Sequence, residues 1–215
     1  NKQMATRTRA FIALIVVGSA AVLAAAWFGF LSGYLKANQE AQRAQALLSA
    51  PETVTQDPNQ LQPLVSGVPS VGEYFAVIRI PALGEDWLHT VSEGTTPEIL
   101  DDLGVGRYEG TELPGEPGNF ALAGHSGSSW TPFAKLDEVA IGELVEIETL
   151  SKKYVYEIVD TETVEETDVK TVYENPEFGS QTAGDQWLTI TTCITNGPQN
   201  LRYVVYAKLV SESAR

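Results

Sequence analysis

Apolar positions along this chain follow two different rhythms. Residues 11–35 form an uncharged run of 25, opening Phe11-Ile12-Ala13-Leu14-Ile15-Val16-Val17 and passing through an alanine-rich centre to Trp27-Phe28-Gly29-Phe30-Leu31. At about 1.5 Å per residue such a helix is roughly 37 Å long, enough to cross a ~30 Å hydrocarbon core with some tilt. Trp27, Phe28, Phe30 and Tyr34 gather at its outer end, as an interfacial aromatic belt does. From residue 71 onward the apolar residues instead recur in short β-type runs, at 75–80, 120–123, 144–149, 154–159, 188–193 and 203–210. Turn-rich segments such as Pro114-Gly115-Glu116-Pro117-Gly118 separate them. Two short helices are expected. One has Thr96 as N-cap, Pro97 at its first position and Ile99, Leu100 and Leu103 on its buried side; the other covers 132–136. Many short strands with few helices predict an all-β fold, a closed or nearly closed barrel, and about 140 residues can bury a core.

Between these regimes the pattern fades. Residues 36–49 are good helix formers with little apolar face, and read as a continuation of the first helix into water. Pro51, Pro58, Pro63 and Pro69, spaced by Gln, Asn and Ser, then predict an extended linker to about residue 70. The expected organisation is an N-terminus at 1–10, a transmembrane helix at 11–35, a helical stalk and Pro-rich linker at 36–70, and a barrel domain at 71–215. Lys2, Arg7 and Arg9 precede the apolar run, whereas Lys36 and Arg43 follow it with Glu40. That bias favours a cytoplasmic N-terminus, an uncleaved single-pass anchor and an extracytoplasmic domain.

Charge narrows the partners. Residues 51–215 carry nine Lys or Arg against 27 Asp or Glu, a net charge of −18. A body this acidic argues against nucleic acid, which needs clustered cations. The acidity reads as solubility at a polyanionic or salty surface, and the run at 162–168 as a solvated loop of like charges. One cysteine excludes an intrachain disulfide, and no CxxC or His-rich cluster suggests zinc, so neither metal nor cofactor is expected.

The candidate chemistry sits at strand ends. In Trp187-Leu188-Thr189-Ile190-Thr191-Thr192-Cys193, alternation puts Leu188, Ile190 and Thr192 on one face and Cys193 on the less apolar one. The thiol ends the run just before Asn196-Gly197-Pro198 breaks the chain. His125 follows Asn119-Phe120-Ala121-Leu122-Ala123-Gly124 in the same way, and Ser126-Gly127-Ser128-Ser129 opens a loop after it. The other histidine, His89, reads as a surface or strand-edge residue. Arg202 opens the last strand, and a hairpin brings it back beside Cys193. An ordinary thiol is only a few per cent thiolate at neutral pH, so a neighbouring cation helps. A histidine can protonate a leaving amine, and a guanidinium can hold an oxyanion.

The order His125, Leu188-Thr189-Ile190-Thr191-Thr192-Cys193, Arg202 resembles the sortase family of membrane-anchored cysteine transpeptidases of Gram-positive bacteria. The resemblance runs from about residue 78 to 209. It includes Ile78-Arg79-Ile80-Pro81, Gly104-Val105-Gly106-Arg107-Tyr108-Glu109-Gly110-Thr111, Pro114-Gly115 and Gly118 through His125. The Thr-Thr-Cys ending and the Tyr108 segment are most similar to class E, the actinobacterial housekeeping group, although Ile194-Thr195 stands where that class has His-Pro or Thr-Pro. The resemblance implies a closed eight-stranded sortase barrel, with Cys193 as nucleophile, His125 as general acid/base and Arg202 as oxyanion or substrate clamp. It further implies Tyr108, Ala123, Ser126, Thr191 and Thr192 as substrate-binding residues. The implied reaction cleaves an LAxTG- or LPxTG-like C-terminal sorting signal of a surface protein after Thr, through a thioester, and joins the protein to an amine of a peptidoglycan precursor. The alternatives are a pilin-polymerising sortase, for which Asp57-Pro58-Asn59 lacks the aromatic of a pilin-type lid, and an inactive tethered β-barrel binding module, which predicts a buried Cys193.

Overall fold

A computed structural model of the chain describes residues 2–49, 64, 65, 67–128, 130–168, 172, 184–194, 197, 198 and 200–215, with the backbone only at 2–13, 102 and 103. The linker residues Pro51, Asp57, Pro58, Asn59 and Pro63, the loop residues Ser129, Thr195 and Asn196, and the side chain of Leu103 lie outside that description.

The chain divides into two units, Asn1–Asn38 and Gln39–Arg215. The first is the greater part of a long helix, α1 (Lys2–Ser49). Its apolar side chains, among them Leu23, Trp27 and Phe28, are exposed. A helix apolar on all sides and uncovered by protein suits a lipid environment. Among the described residues it is the one helix long and apolar enough to cross a membrane.

The second unit is a closed β-barrel of eight strands: β1 (Tyr74–Arg79), β2 (Leu88–Glu93), β3 (Val105–Arg107), β4 (Gly118–Gly124), β5 (Leu144–Thr149), β6 (Lys152–Glu165), β7 (Gln186–Cys193) and β8 (Leu201–Ala214). They close in the order β1-β2-β3-β4-β7-β8-β6-β5, with β5 returning to β1. The β2–β3 and β4–β7 pairs are parallel and the rest antiparallel. Closure removes every sheet edge. Alternation then fills the interior: Ala76 and Ile78, Leu122, Leu188 and Ile190, and Val205 and Ala207 all point into one core. Six strands coincide with the expected apolar runs. Of the two others, β3 has only three residues, and β2, Leu-His-Thr-Val-Ser-Glu, mixes polar residues into both faces and so shows no apolar alternation.

Helix α2 (Pro97–Leu103) begins where Thr96 and Pro97 predict and stops at Gly104, whose φ of 88° ends the helix. The helix expected over 132–136 is a run of turns, followed by a single 3₁₀ turn at Leu136–Glu138. The core instead takes Phe133 and Leu136 from it. The last turns of α1 also differ from the expectation of a stalk in water. Glu40, Ala44 and Leu47 recur at i, i+4 and i+7 and are buried. Ala44 and Leu47 pack with Leu64, Val77 and Leu88 on the outside of β1 and β2. Two apolar positions suffice to cover the outer side of the strand, so β1 is buried on both sides. Arg43 anchors the end of this face by donating to the Tyr74 hydroxyl (3.0 Å) while its guanidinium lies over the same ring.

Candidate active site

Strand register decides what meets at the barrel end. In the antiparallel β7–β8 pair, Cys193 lies directly opposite Arg202, so the two side chains share a face. In the parallel β4–β7 pair, Ala123 lies level with Thr191. Continued two residues, one past the end of β4, that register sets His125 level with Cys193, the last residue of β7. Ala123 and Thr191 alternate with core-facing Leu122 and Ile190, so His125, Cys193 and Arg202 all belong to the outer face of one three-strand patch.

Hydrogen bonds tie these ends together. Thr192 Oγ1 donates to the Gly124 carbonyl (2.7 Å), and Ser126 Oγ donates to the Cys193 carbonyl. The Phe133 N–H donates to the carbonyl of His125 itself (3.0 Å). His125 is therefore fixed by bonds to its own backbone and to both neighbours in sequence, each worth about 0.5–1.5 kcal/mol net. Gly124 permits the packing here. A Cβ at that position would lie 2.6 Å from the Phe133 ring and 3.2 Å from the Gly104 carbonyl.

The side chains are held by carboxylates. The His125 Nε2–H donates to Asp101 Oδ1 on α2 (2.8 Å), since an ionised carboxylate has only acceptors to offer. Arg202 Nη2 donates to Glu166 Oε2 (2.8 Å), just past the end of β6. Among the described residues no hydrogen bond joins the His125 ring to the Cys193 thiol. Apo sites often show such a gap, which closes only around substrate. Cys193 is partly exposed and lines a cleft of about 230 Å³ with Phe133, Asp137, Thr192, Ile194 and Tyr203. A larger cavity of about 350 Å³ opens at the far end of the barrel, around Gly115 and Lys152, and contains none of these residues.

The other expected residues surround the same strand ends. Tyr108 follows β3, and its hydroxyl shares a 2.8 Å hydrogen bond with Thr191 Oγ1. Ala123 and Thr191 are buried on the outer face of β4 and β7. The segment carrying Tyr108 is clamped by Arg107, which pairs bidentately with Glu93 (2.6 and 2.9 Å) and donates to the carbonyls of Thr111 and Glu112. Both partners are buried. The less apolar face of β7 is polar and covered: Thr189 is buried and bonds Asn119 Oδ1 (2.8 Å).

Two readings of the sequence are corrected. His89 is half-buried within β2 rather than at a surface or strand-edge position. Its ring packs against Trp87 (centroids 4.7 Å apart) and, among the described residues, nothing hydrogen-bonds its Nδ1. Burial lowers its pKa to about 4, so the ring is neutral at physiological pH. The acidic run at 162–168 is largely exposed, as expected, but its first four residues are strand rather than loop. Residues 162–165 belong to β6, Tyr206 donates to Glu162 (2.6 Å), Asn200 to Glu165 (2.7 Å) and Arg202 to Glu166. Asp101 and Glu166 are the contacts that the sequence did not reveal. An Asp-Asp pair in a short helix and one Glu in an acidic run carry no signal of the residues they meet 24 and 36 positions later.

Comparison with known proteins agrees with this geometry. The family model described as a Sortase domain matches residues 78–210. Sortase SrtE1 of Streptomyces coelicolor is 30% identical over 67% of this chain, a match that spans 42% of that longer protein. Sortase D of Bacillus subtilis is 25% identical over 93% of this chain and 98% of its own length. The structure of sortase E from Streptomyces avermitilis superposes with a TM-score of 0.62 at 32% identity, covering 67% of this chain and 93% of that one. The chain belongs to the sortase family and is similar to its class E members.

Proposed function

We propose that the protein is a membrane-anchored cysteine transpeptidase whose nucleophile is Cys193. The observation that carries this reading is the strand-end register, which sets Arg202 opposite Cys193 and ties His125 beside it within a sortase barrel. In the proposed reaction the Cys193 thiolate attacks the Thr carbonyl carbon of an LAxTG- or LPxTG-like sorting signal. Arg202 donates to the resulting oxyanion. The Thr–Gly C–N bond then breaks, and His125 gives its proton to the departing amine, leaving a thioester on Cys193. An amine of a cell-wall precursor attacks that thioester, passes its proton to His125 and expels the thiolate. Tyr108, Ala123 and Thr191 form the wall that the signal meets. Ser126 and Thr192 hold the strand ends beneath it.

Residues 11–35 supply the anchor. The Lys and Arg before them favour a cytoplasmic N-terminus, with the barrel and the chain from residue 36 outside. Surface proteins bearing a sorting signal are the acyl donors. Incubation of the protein with an LAxTG peptide and an amine is expected to give the ligated product and, on acid quenching, a Cys193-bound acyl adduct by mass spectrometry. Product formation by Cys193→Ala at the wild-type rate would overturn the reading.

A further inference from the structure

Backbone hydrogen bonds fix where His125 starts but not where its ring points. The Phe133, Thr192 and Ser126 bonds all involve main-chain carbonyls, so both side-chain torsions of His125 remain to be set. The contact that sets them comes from α2. That helix lies within reach because Gly124 has no Cβ: its terminal carbonyl, Gly104 O, stands 3.2 Å from where a Gly124 Cβ would be. The close approach brings Asp101 Oδ1 to 2.8 Å from His125 Nε2.

We propose that Asp101 is a positioning residue for His125, which keeps the imidazole in its Nε2–H tautomer and leaves Nδ1 as the nitrogen that exchanges the proton in acyl transfer. A carboxylate can only accept, so whenever the ring is neutral its single proton sits on Nε2 and the lone pair on Nδ1. Without Asp101 both tautomers and several ring orientations become available, and only a fraction is productive. The pair is exposed (40% for His125, 65% for Asp101), so it adds little to stability. Its role is geometric. The proposal rests on the acid/base role of His125 given above.

The test uses the full chain in detergent micelles, labelled with ¹⁵N-histidine. The chain has two histidines, and a His89→Gln variant assigns them. At about pH 9, where an ordinary imidazole is neutral, the wild-type His125 spectrum is expected to show the Nε2–H tautomer, and Asp101→Asn is expected to lose that preference. With a sorting-signal pentapeptide and an amine, Asp101→Asn is expected to lower kcat about 10- to 100-fold with KM within about twofold. Asp101→Glu, which keeps an acceptor on a longer arm, is expected to recover kcat to within about fivefold of wild type. An Nδ1–H tautomer in the wild type, an unchanged kcat in Asp101→Asn, or a loss confined to KM would each overturn the proposal. If the wild-type protein forms no acyl adduct, the proposed function fails, and the tautomer spectrum still decides the role of Asp101.

Discussion

Acidification should destabilise the barrel through a residue outside the reactive patch. His89 on β2 is packed against Trp87, its Nδ1 is sealed from solvent, and burial lowers its pKa from 6.5 to about 4. Between those values the unfolded chain binds a proton that the folded chain refuses. Stability therefore rises with pH across this window and falls as pH drops through it. The contribution is fully present above about pH 6.5. The difference of about 2.5 units, at about 1.4 kcal/mol each, means that about 3 kcal/mol is lost once the pH is well below 4. At about pH 4.5 most of it, about 2.5 kcal/mol, has already gone. Carboxylates titrate in the same range, so the informative quantity is a difference: urea unfolding of wild type against His89→Gln from about pH 8 to pH 4. The wild-type curve should fall relative to the variant by roughly 2–3 kcal/mol between about pH 6.5 and 4.5. The ¹⁵N signals of His89 in the folded protein should titrate near the low end of that range. Parallel stability curves, or a His89 midpoint near that of a free imidazole, would refute the reasoning.

Two further outcomes concern the supports of the site. Arg107→Met leaves the Glu93 carboxylate buried and unpaired, and should lower unfolding free energy by about 3–5 kcal/mol; replacing Glu93 by Leu in the same chain should recover part of that loss, and a denaturant series on the three variants checks it. Gly124→Ala forces a methyl to within 2.6 Å of the Phe133 ring, so overpacking should destabilise by about 1–3 kcal/mol while displacing α2 from His125. Transpeptidation by that variant should fall further than its stability alone explains, measured at a temperature where it remains folded.

The parts of the fold that were legible in the sequence are those with a period. The 25-residue apolar run, the alternating strands and the Thr96-Pro97 helix start each express a local rule, and each recurs in the structure. What was hidden depends on contacts distant in sequence. Strand β3 is three residues held between a parallel and an antiparallel neighbour, and no local pattern announces it. The end of α1 needed only Ala44 and Leu47 to dock on β1 and β2, too few for an amphipathic signal. His89 looked exposed because histidine usually is, yet Trp87 packs on its ring and the turn at Gly104 lies against its Nδ1. The strand ends carrying His125, Cys193 and Arg202 were readable because a nucleophile, an acid/base and a cation must each stand somewhere rigid and accessible. The carboxylates that hold two of them obey no such rule.

Those carboxylates raise an energetic question that the magnitudes answer. Arg202, proposed to meet a developing oxyanion, is already paired with Glu166, and a strong pair would compete with the reaction. The Arg202 side chain is 29% exposed and that of Glu166 47%, which places the pair among solvent-screened contacts worth about 0–1 kcal/mol. A donor aimed at a tetrahedral oxyanion in a water-excluded site is worth about 3–4 kcal/mol. Exchanging the first for the second is favourable even if the Glu166 contact is lost outright. The guanidinium also has five donors, of which Nη2 serves Glu166 and Nη1 the Leu201 carbonyl (2.9 Å). In a domain of net charge −18 an unpaired Arg202 would attract some carboxylate in any case. A weak, exposed partner at a fixed strand end keeps the cation near Cys193 without sequestering it. Glu166→Gln should therefore leave kcat within about threefold of wild type, because it removes only a screened ion pair. A loss of 100-fold in a steady-state assay would show that Glu166 orients Arg202 rather than merely accompanying it.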